Sequence, residues 1–203
     1  MPADPTVYVV DDDPDMLAAL AEMFAAIGLK CVCYPCGDAF LAAYTPEGPG
    51  CLVLDVRMPG LSGVELQLKL REARITLPII FITAFADVRM AVEAMENGAF
   101  AFLEKPFRAQ ELCNKVQAAL QQAQDHWQRQ QRQHATELKL ASLTPAERRV
   151  LELVVAGQTN KTIAEQLRIS IRTVEVHRGR LVKKLGTRSR AEFIKLLAPP
   201  ADE

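Results

Sequence analysis

The chain is poor in aromatic rings and has no long apolar run. Of its 203 residues one is Trp (Trp127), three are Tyr and three are His. No stretch approaches the ~20 consecutive apolar residues that span a bilayer. The opening residues, MPADPTVYVVDDD, lack the basic start and apolar core of a secretion signal. Acids begin at once, so the expected compartment is the cytoplasm, with no membrane partner. The five cysteines are an odd number, which argues for reduced thiols rather than a disulfide framework. Cys31, Cys33 and Cys36 spell C-x-C-x-x-C, but no fourth ligand stands at zinc-like spacing. Cys31 and Cys33 alternate along an apparent strand and read as small hydrophobes on one face.

Net charge is also nearly absent, at −1, but this conceals a division. Residues 1–138 hold 11 Lys and Arg against 18 Asp and Glu, a net −7; residues 139–203 hold 13 against 7, a net +6. An acidic front and a basic back imply different partners. A small basic domain suits an electrostatic footprint on phosphates. With 49% hydrophobic and 24% charged residues, the chain reads as soluble, globular and long enough for two domains.

Short apolar runs alternate with amphipathic segments over the first ~125 residues, the pattern of an α/β sheet with crossover helices. The runs are 7–10, 31–34, 51–55, 78–83 and 101–105; helices are expected near 14–27, 37–44, 63–73, 87–97 and from 107 onward. PIIFI is apolar at consecutive positions, as in a parallel strand covered on both faces. Gly28 and Gly98 stand where helices should end. From Arg108 to about Leu138 there is no Pro or Gly, so the last helix should run on out of the domain. Its second half is polar nearly all round, which fits a solvated linker or a weak coiled coil. Trp127 caps the first domain or serves a dimer or interdomain contact.

An all-helical domain follows. Thr144, Pro145 and Glu147 form an N-terminal cap signature, and Gly157 ends that helix. Helices are then expected over 160–168 and 171–185, the second opened by Ser170 and closed by Gly186. Ser189 and Glu192 read as a capping box for a last helix ending near Pro199.

The polar residues of the first domain gather where open parallel sheets bind ligands, at the carboxyl ends of strands. Asp11, Asp12 and Asp13 follow the first strand. Asp55 ends the third, Thr83 the fourth and Lys105 the fifth. Asp13 before Pro14 reads as an N-cap. Clustered carboxylates call for a cation, and an all-oxygen, partly open site suits Mg²⁺. A carboxylate there can attack a phosphoryl group, with Lys105 and Thr83 placed to meet its oxygens. An Asp-dependent phosphatase usually needs a second Asp two residues after the nucleophile. Arg57 stands there, so turnover should be slow.

VVDDD (9–13), LDVRMPGLSG (54–63), FITA (81–84) and EKPF (104–107) resemble the receiver domain of two-component response regulators. The D-x-x-M-P-x-x-x-G pattern is met by Asp55, Met58, Pro59 and Gly63. The resemblance implies a flavodoxin-like fold of five βα units with a parallel sheet in the order 2-1-3-4-5. It makes Asp55 the phosphoacceptor, with Mg²⁺ held by Asp11, Asp12, Asp55 and the Arg57 backbone carbonyl. Thr83 and Lys105 contact the phosphoryl group. Thr83 and Phe102, three residues before the lysine, are the switch pair; many relatives carry Tyr at 102, so motion here rests on packing alone. The Lys105–Pro106 bond is a candidate cis peptide.

Two short helices joined near Ile169–Ser170 fit a helix-turn-helix whose second helix enters the major groove. Along 171–185, Val174, His177, Leu181 and Leu185 mark the face to be buried. Arg172, Glu175, Val176, Gly179, Arg180 and Lys183 mark the opposite one. Arg and Lys read guanine or hold phosphates, Glu accepts from cytosine, and Val packs on a thymine methyl. Lys161, Arg178, Lys184 and Arg188 are expected on phosphates.

TPAERRVLELVVAG, NKTIAEQL and TVEVHRGRLVKKLG resemble the DNA-binding domain of LuxR/FixJ-type regulators. The whole is identified as a member of the NarL/FixJ family. By that resemblance Glu175, Val176 and Gly179 face the groove, Thr173 joins the DNA-contacting set, and His177 is structural. The implied layout is a receiver over 5–122, a helical linker over 123–139 and a DNA-binding domain over 140–200. The implied partners are a sensor histidine kinase, double-stranded DNA, RNA polymerase and, once phosphorylated, a second copy of the chain. By the same resemblance the chain is expected to accept a phosphoryl group on its own Asp and not to act as a turnover enzyme.

Overall fold

The computed structural model describes residues 4–84 and 88–197. The chain divides into two compact units, Met1–Gln128 and Arg129–Glu203. In the first, β1 (Thr6–Val10), β2 (Lys30–Tyr34), β3 (Gly50–Asp55), β4 (Ile79–Thr83) and β5 (Ala101–Glu104) alternate with helices. These are α1 (Pro14–Ala26), α2 (Gly37–Ala43), α3 (Gly63–Glu72), α4 (Val88–Glu96) and the first part of α5 (Ala109–Ala141), a helix that continues past Gln128 into the second unit. The sheet is parallel throughout, in the order β2-β1-β3-β4-β5, as expected.

Period-two alternation sorts the strand residues into two cores. Val7, Val9, Cys51, Val53, Ile80, Ile82 and Leu103 face one side, against Leu20 and Phe24 of α1 and Leu112, Val116 and Leu120 of α5. Val10, Leu52, Leu54, Ile79 and Phe81 face the other, with Phe40 of α2, Leu66 and Leu70 of α3 and Ala94 of α4. Covered on both faces, the central strand β3 is buried at all six positions. Consecutive apolar residues are the sequence trace of that double coverage.

Caps set the loops. Asp13 accepts from the Asp15 and Met16 amides at the start of α1, with Pro14 in the first turn. Ser62 and Glu65 form a reciprocal capping box on α3, a pairing that the reading of the sequence passed over. Gly28 and Gly98 have positive φ where α1 and α4 end. Cys31 and Cys33 pack side by side against the first core, their sulfurs 3.7 Å apart. Helix α5 is continuous over 33 residues, with no break between its apolar and Gln-rich halves.

The second unit contains α6 (Pro145–Val155), α7 (Asn160–Leu167), α8 (Ile171–Leu185) and α9 (Arg190–Leu197). Its core joins Val150, Leu151 and Val154 of α6, Ile163 of α7, Val174, Leu181 and Leu185 of α8, and Phe193 of α9. The Thr144–Glu147 capping box forms as expected. The one at Ser189 does not: the Ser189 amide and the Glu192 carboxylate both turn to the Thr187 hydroxyl, which lies closer in the loop. The expected start of α4 at position 87 and end of α9 near Pro199 lie outside the described residues.

Candidate functional site

Strand register brings the acids together. Val10 pairs with Leu54 across β1 and β3, so Asp11 and Asp55 end neighbouring strands. Thr83 pairs with Glu104 across β4 and β5, which places Lys105 one residue past the same edge. The Lys105 amide donates to the Thr83 carbonyl at 2.7 Å. The peptide that follows, Lys105–Pro106, is cis. From this position Lys105 Nζ donates to Asp11 Oδ2 at 2.7 Å and to Asp55 Oδ1 at 2.9 Å. The other oxygens are also held. The Asp13 amide donates to Asp11 Oδ1 at 2.9 Å, and the Arg57 amide to Asp55 Oδ2 at 2.7 Å.

Gly63 sets how closely the next helix approaches. Its amide donates to the Val56 carbonyl at 3.0 Å. A Cβ at this position would run into the Asp55 carbonyl oxygen. The glycine therefore lets the start of α3 lie directly under the strand end that carries Asp55.

The electrostatics are uneven. Asp11 and Asp55 are 1% and 5% exposed, and both depend on one ammonium. Burial pushes the Asp55 carboxyl above its ordinary range; Lys105 and the Arg57 amide pull it back, and Asp11 adds to the rise. Burial also works against the Lys105 ammonium, but its bonds and charges to Asp11 and Asp55 prevail and hold its pKa above the usual lysine value. Among the described residues, these two buried carboxylates share the Lys105 ammonium, an arrangement that favours a further positive charge.

The available donors, carboxylates and backbone carbonyls, are the oxygen ligands that Mg²⁺ takes. Among the described residues no three His, Cys, Asp or Glu side chains close a ready-made cage. Lys105 engages one oxygen of each buried acid, and Asp12 is exposed beside them. The structure thus joins Asp11, Asp55 and Lys105 by direct bonds. It puts Thr83, also buried, on the same rim and leaves Asp12 on the outside. Phe102 is half-buried, with its ring 6.3 Å from that of Phe81, its register partner.

In the second unit Arg168 takes the left-handed conformation after α7, and Ser170 caps α8 by accepting from the Thr173 amide. Val174, Leu181 and Leu185 are buried and His177 half-buried, whereas Arg172, Glu175, Val176, Gly179, Arg180 and Lys183 are exposed, as is Lys161 on α7. Thr173 is half-buried, its hydroxyl 2.8 Å from that of Ser170. Arg178 donates to Asn160 Oδ1 at 3.0 Å and so ties α8 to α7.

Lys184 corrects an expectation. Rather than facing a phosphate, it donates to Glu147 Oε2 at 2.6 Å and to the Ser142 carbonyl at 2.8 Å. Glu147 is itself buried. Chiefly through the Lys184 hydrogen bond, helped by the Thr144 amide, its pKa falls to about 2. A buried carboxylate needs a partner, and only the fold reveals that this lysine supplies it.

Comparison with known proteins agrees with both halves. The model of the response regulator receiver domain matches residues 7–117, and that of bacterial regulatory proteins of the luxR family matches 141–197. This chain belongs to the LuxR-type response regulators. Nodulation protein W of Bradyrhizobium diazoefficiens is 41% identical over 94% of this chain and 84% of its own length. Transcriptional regulatory protein FixJ of Azorhizobium caulinodans is 40% identical over 100% of this chain and 98% of its own. Among solved structures, response regulator StyR superposes with a TM-score of 0.91 at 42% identity, covering 96% of this chain and 98% of that one.

In this response regulator, two contributors to the site escaped the reading of single residues. The Arg57 backbone amide binds the Asp55 carboxylate, an interaction that no side-chain pattern encodes. Gly63 was matched as part of a motif, but its role, close approach to the Asp55 carbonyl, needed coordinates.

Proposed function

We propose that this regulator takes a phosphoryl group onto Asp55 from a sensor histidine kinase and that this event controls its binding to double-stranded DNA. The observation that carries the reading is the state of Asp55: buried at the sheet rim, under-compensated, and bonded to Lys105. Its carboxylate forms the new O–P bond as the donor's P–N bond breaks, and the leaving imidazole nitrogen takes up a proton. Lys105 moves from the carboxylates toward the arriving phosphoryl oxygens, and the Thr83 hydroxyl donates to another. Asp11, Asp12, Asp55 and the Arg57 carbonyl are the groups that would hold Mg²⁺. When bound, Mg²⁺ supplies charge neutralisation for the transferring group.

Adding roughly −1.5 to −2 charges beside Thr83 and Lys105 draws both inward and lets β5 and α4 repack around Phe102. The repacked face forms a homodimer, and two copies of α8 then meet half-sites about one helical turn, roughly 34–36 Å, apart. Arg180, Lys183 and Lys161 supply phosphate or guanine contacts, while Glu175, Val176 and Gly179 face base edges. Thr173 and Arg178 steady the helix from its capped and tied side. The working layout is a receiver over 5–122, a linker over 123–139 and a DNA-binding domain over 140–200. The protein acts in the cytoplasm, meets RNA polymerase at its promoters, and does not turn over as an enzyme.

Sedimentation velocity and DNA-binding anisotropy on the full-length protein, with and without acetyl phosphate and Mg²⁺, test the proposal. It expects a heavier species and tighter DNA binding after treatment. An unchanged mass distribution with unchanged affinity would overturn it.

A further inference from the structure

Two thiols stand together at the edge of the sheet. β2 is the outermost strand and pairs with β1 alone. Cys31 and Cys33 lie opposite Val7 and Val9 in that pairing and share one face. Their sulfurs are 3.7 Å apart, and Cys33 Sγ also donates to the Leu17 carbonyl of α1 at 3.7 Å. Both are half-buried, which leaves them open to small solutes, whereas Cys51 and Cys113 are buried. Packing alone would be served by valine, the residue at both partners on β1.

The strand sets how the pair reacts. Residues two apart in a strand are separated by about 6.6 Å, near the upper limit of the Cα span of a disulfide. Closing the bond therefore draws β2 in by about 1 Å toward the commonest span. An edge strand absorbs this as a local pucker. A bond made under such tension is readily reduced again. Burial pushes the Cys31 thiol up to about 12, so the first attack falls to Cys33.

β2 also supports the acidic rim. The Asp11 amide donates at 3.3 Å to the carbonyl of Tyr34, the residue after Cys33. Leu17, whose carbonyl Cys33 engages, donates its own amide to the Asp13 carbonyl at 3.0 Å. A pucker over 31–33 moves both supports of the Asp11–Asp13 turn.

We propose that Cys31 and Cys33 form a reversible modification site for small-molecule disulfides, and that closing their disulfide slows phosphoryl transfer to Asp55. The second half rests on the reading of Asp55 as the phosphoacceptor. The Cys33 thiolate attacks one sulfur of the small disulfide, whose S–S bond breaks as one thiolate leaves. Cys31 then attacks the Cys33 sulfur, forming the protein S–S bond and expelling the second thiolate. The two cysteine protons end on the released thiols. The protein loses an electron pair and the small disulfide gains it.

The test exposes the reduced full-length protein to oxidised glutathione, then alkylates, digests and fragments it for mass spectrometry. Two of the five thiols should escape alkylation without carrying glutathione, and fragmentation should place the bond between 31 and 33. Dithiothreitol should restore all five. Cys36→Ser should react as wild type does, whereas Cys31→Val, which keeps the packing, should stop at a glutathione adduct on Cys33. Labelling by acetyl phosphate with Mg²⁺ should be about tenfold slower in the oxidised protein, within what an ångström-scale misplacement costs, and should recover on reduction. A wild type that keeps five alkylatable thiols, or a bond that includes Cys36, would overturn the dithiol site. Oxidised protein labelled at the reduced rate would overturn its coupling to Asp55. Reduced protein that takes no label would instead overturn the phosphoacceptor reading, with the alkylation result standing on its own.

Discussion

Asp11 and Asp55 end neighbouring strands and accept from the same Lys105 ammonium, at 2.7 and 2.9 Å. Two buried acids sharing one cation make a site that is strained electrostatically and ready for a second positive charge. Most of the expected behaviour of the first unit follows from that imbalance.

Asp55→Asn should stabilise the protein. The folded-state pKa of Asp55 is raised, so ionising it costs stability at pH values above the ordinary carboxylate range, and the cost disappears on acidification. Thermal melts at pH 7 should rise by about 2–5 °C, an order-of-magnitude figure for a domain of this size. The gain should vanish near pH 3. A lower midpoint at pH 7 would show that the Lys105 pair outweighs the burial cost.

Lys105→Met should act in the opposite sense. It strands two buried carboxylates, and breaking a buried pair this way costs about 3–5 kcal/mol. Acidic buffer should rescue it in part as Asp55, whose carboxyl burial already pushes above its ordinary range, takes up a proton. In wild type the contribution of Lys105 is fully present below the unfolded lysine value and is lost as pH rises through the higher folded one. Chemical denaturation across pH checks both signs.

Gly63→Ala should destabilise the receiver unit by about 1–3 kcal/mol, because the added methyl meets the Asp55 backbone rather than a yielding side chain. It should also slow phosphorylation, since the strand end must shift. Denaturant melts and the rate of acetyl phosphate labelling report the two effects separately.

Glu147 governs acid stability in the second unit. Its folded pKa of about 2 lies below the unfolded value, so its contribution is present above pH ~4.5 and is lost as pH falls through about 2. Glu147→Gln should therefore be less stable than wild type at pH 7, with the difference closing in acid. Lys184→Ala should likewise lower the melting temperature. Lys183→Ala, exposed and unpaired with Glu147, should leave stability intact and reduce the salt slope of DNA binding by about one.

The periodic parts of this chain were legible in the sequence. PIIFI announced a doubly covered strand, and Thr144-Pro145-x-Glu147 announced a helix start, because local spacing carries both signals. The rim residues could be placed at strand ends, since a parallel sheet puts every strand's carboxyl end on one side. What stayed hidden was tertiary. Lys184 reads as one more cation of a basic helix until Glu147, 37 positions earlier, is seen beneath it. The Thr187 hydroxyl displaced the expected Ser189–Glu192 cap through a loop geometry that no spacing rule contains.

Mass spectrometry of the intact protein after acetyl phosphate treatment bears most directly on the role of Asp55. Wild type with Mg²⁺ should gain one phosphoryl group, and the gain should be absent in Asp55→Asn and in wild type with chelator. A wild-type protein that gains nothing, or an Asp55→Asn protein labelled to the same extent, would contradict the account.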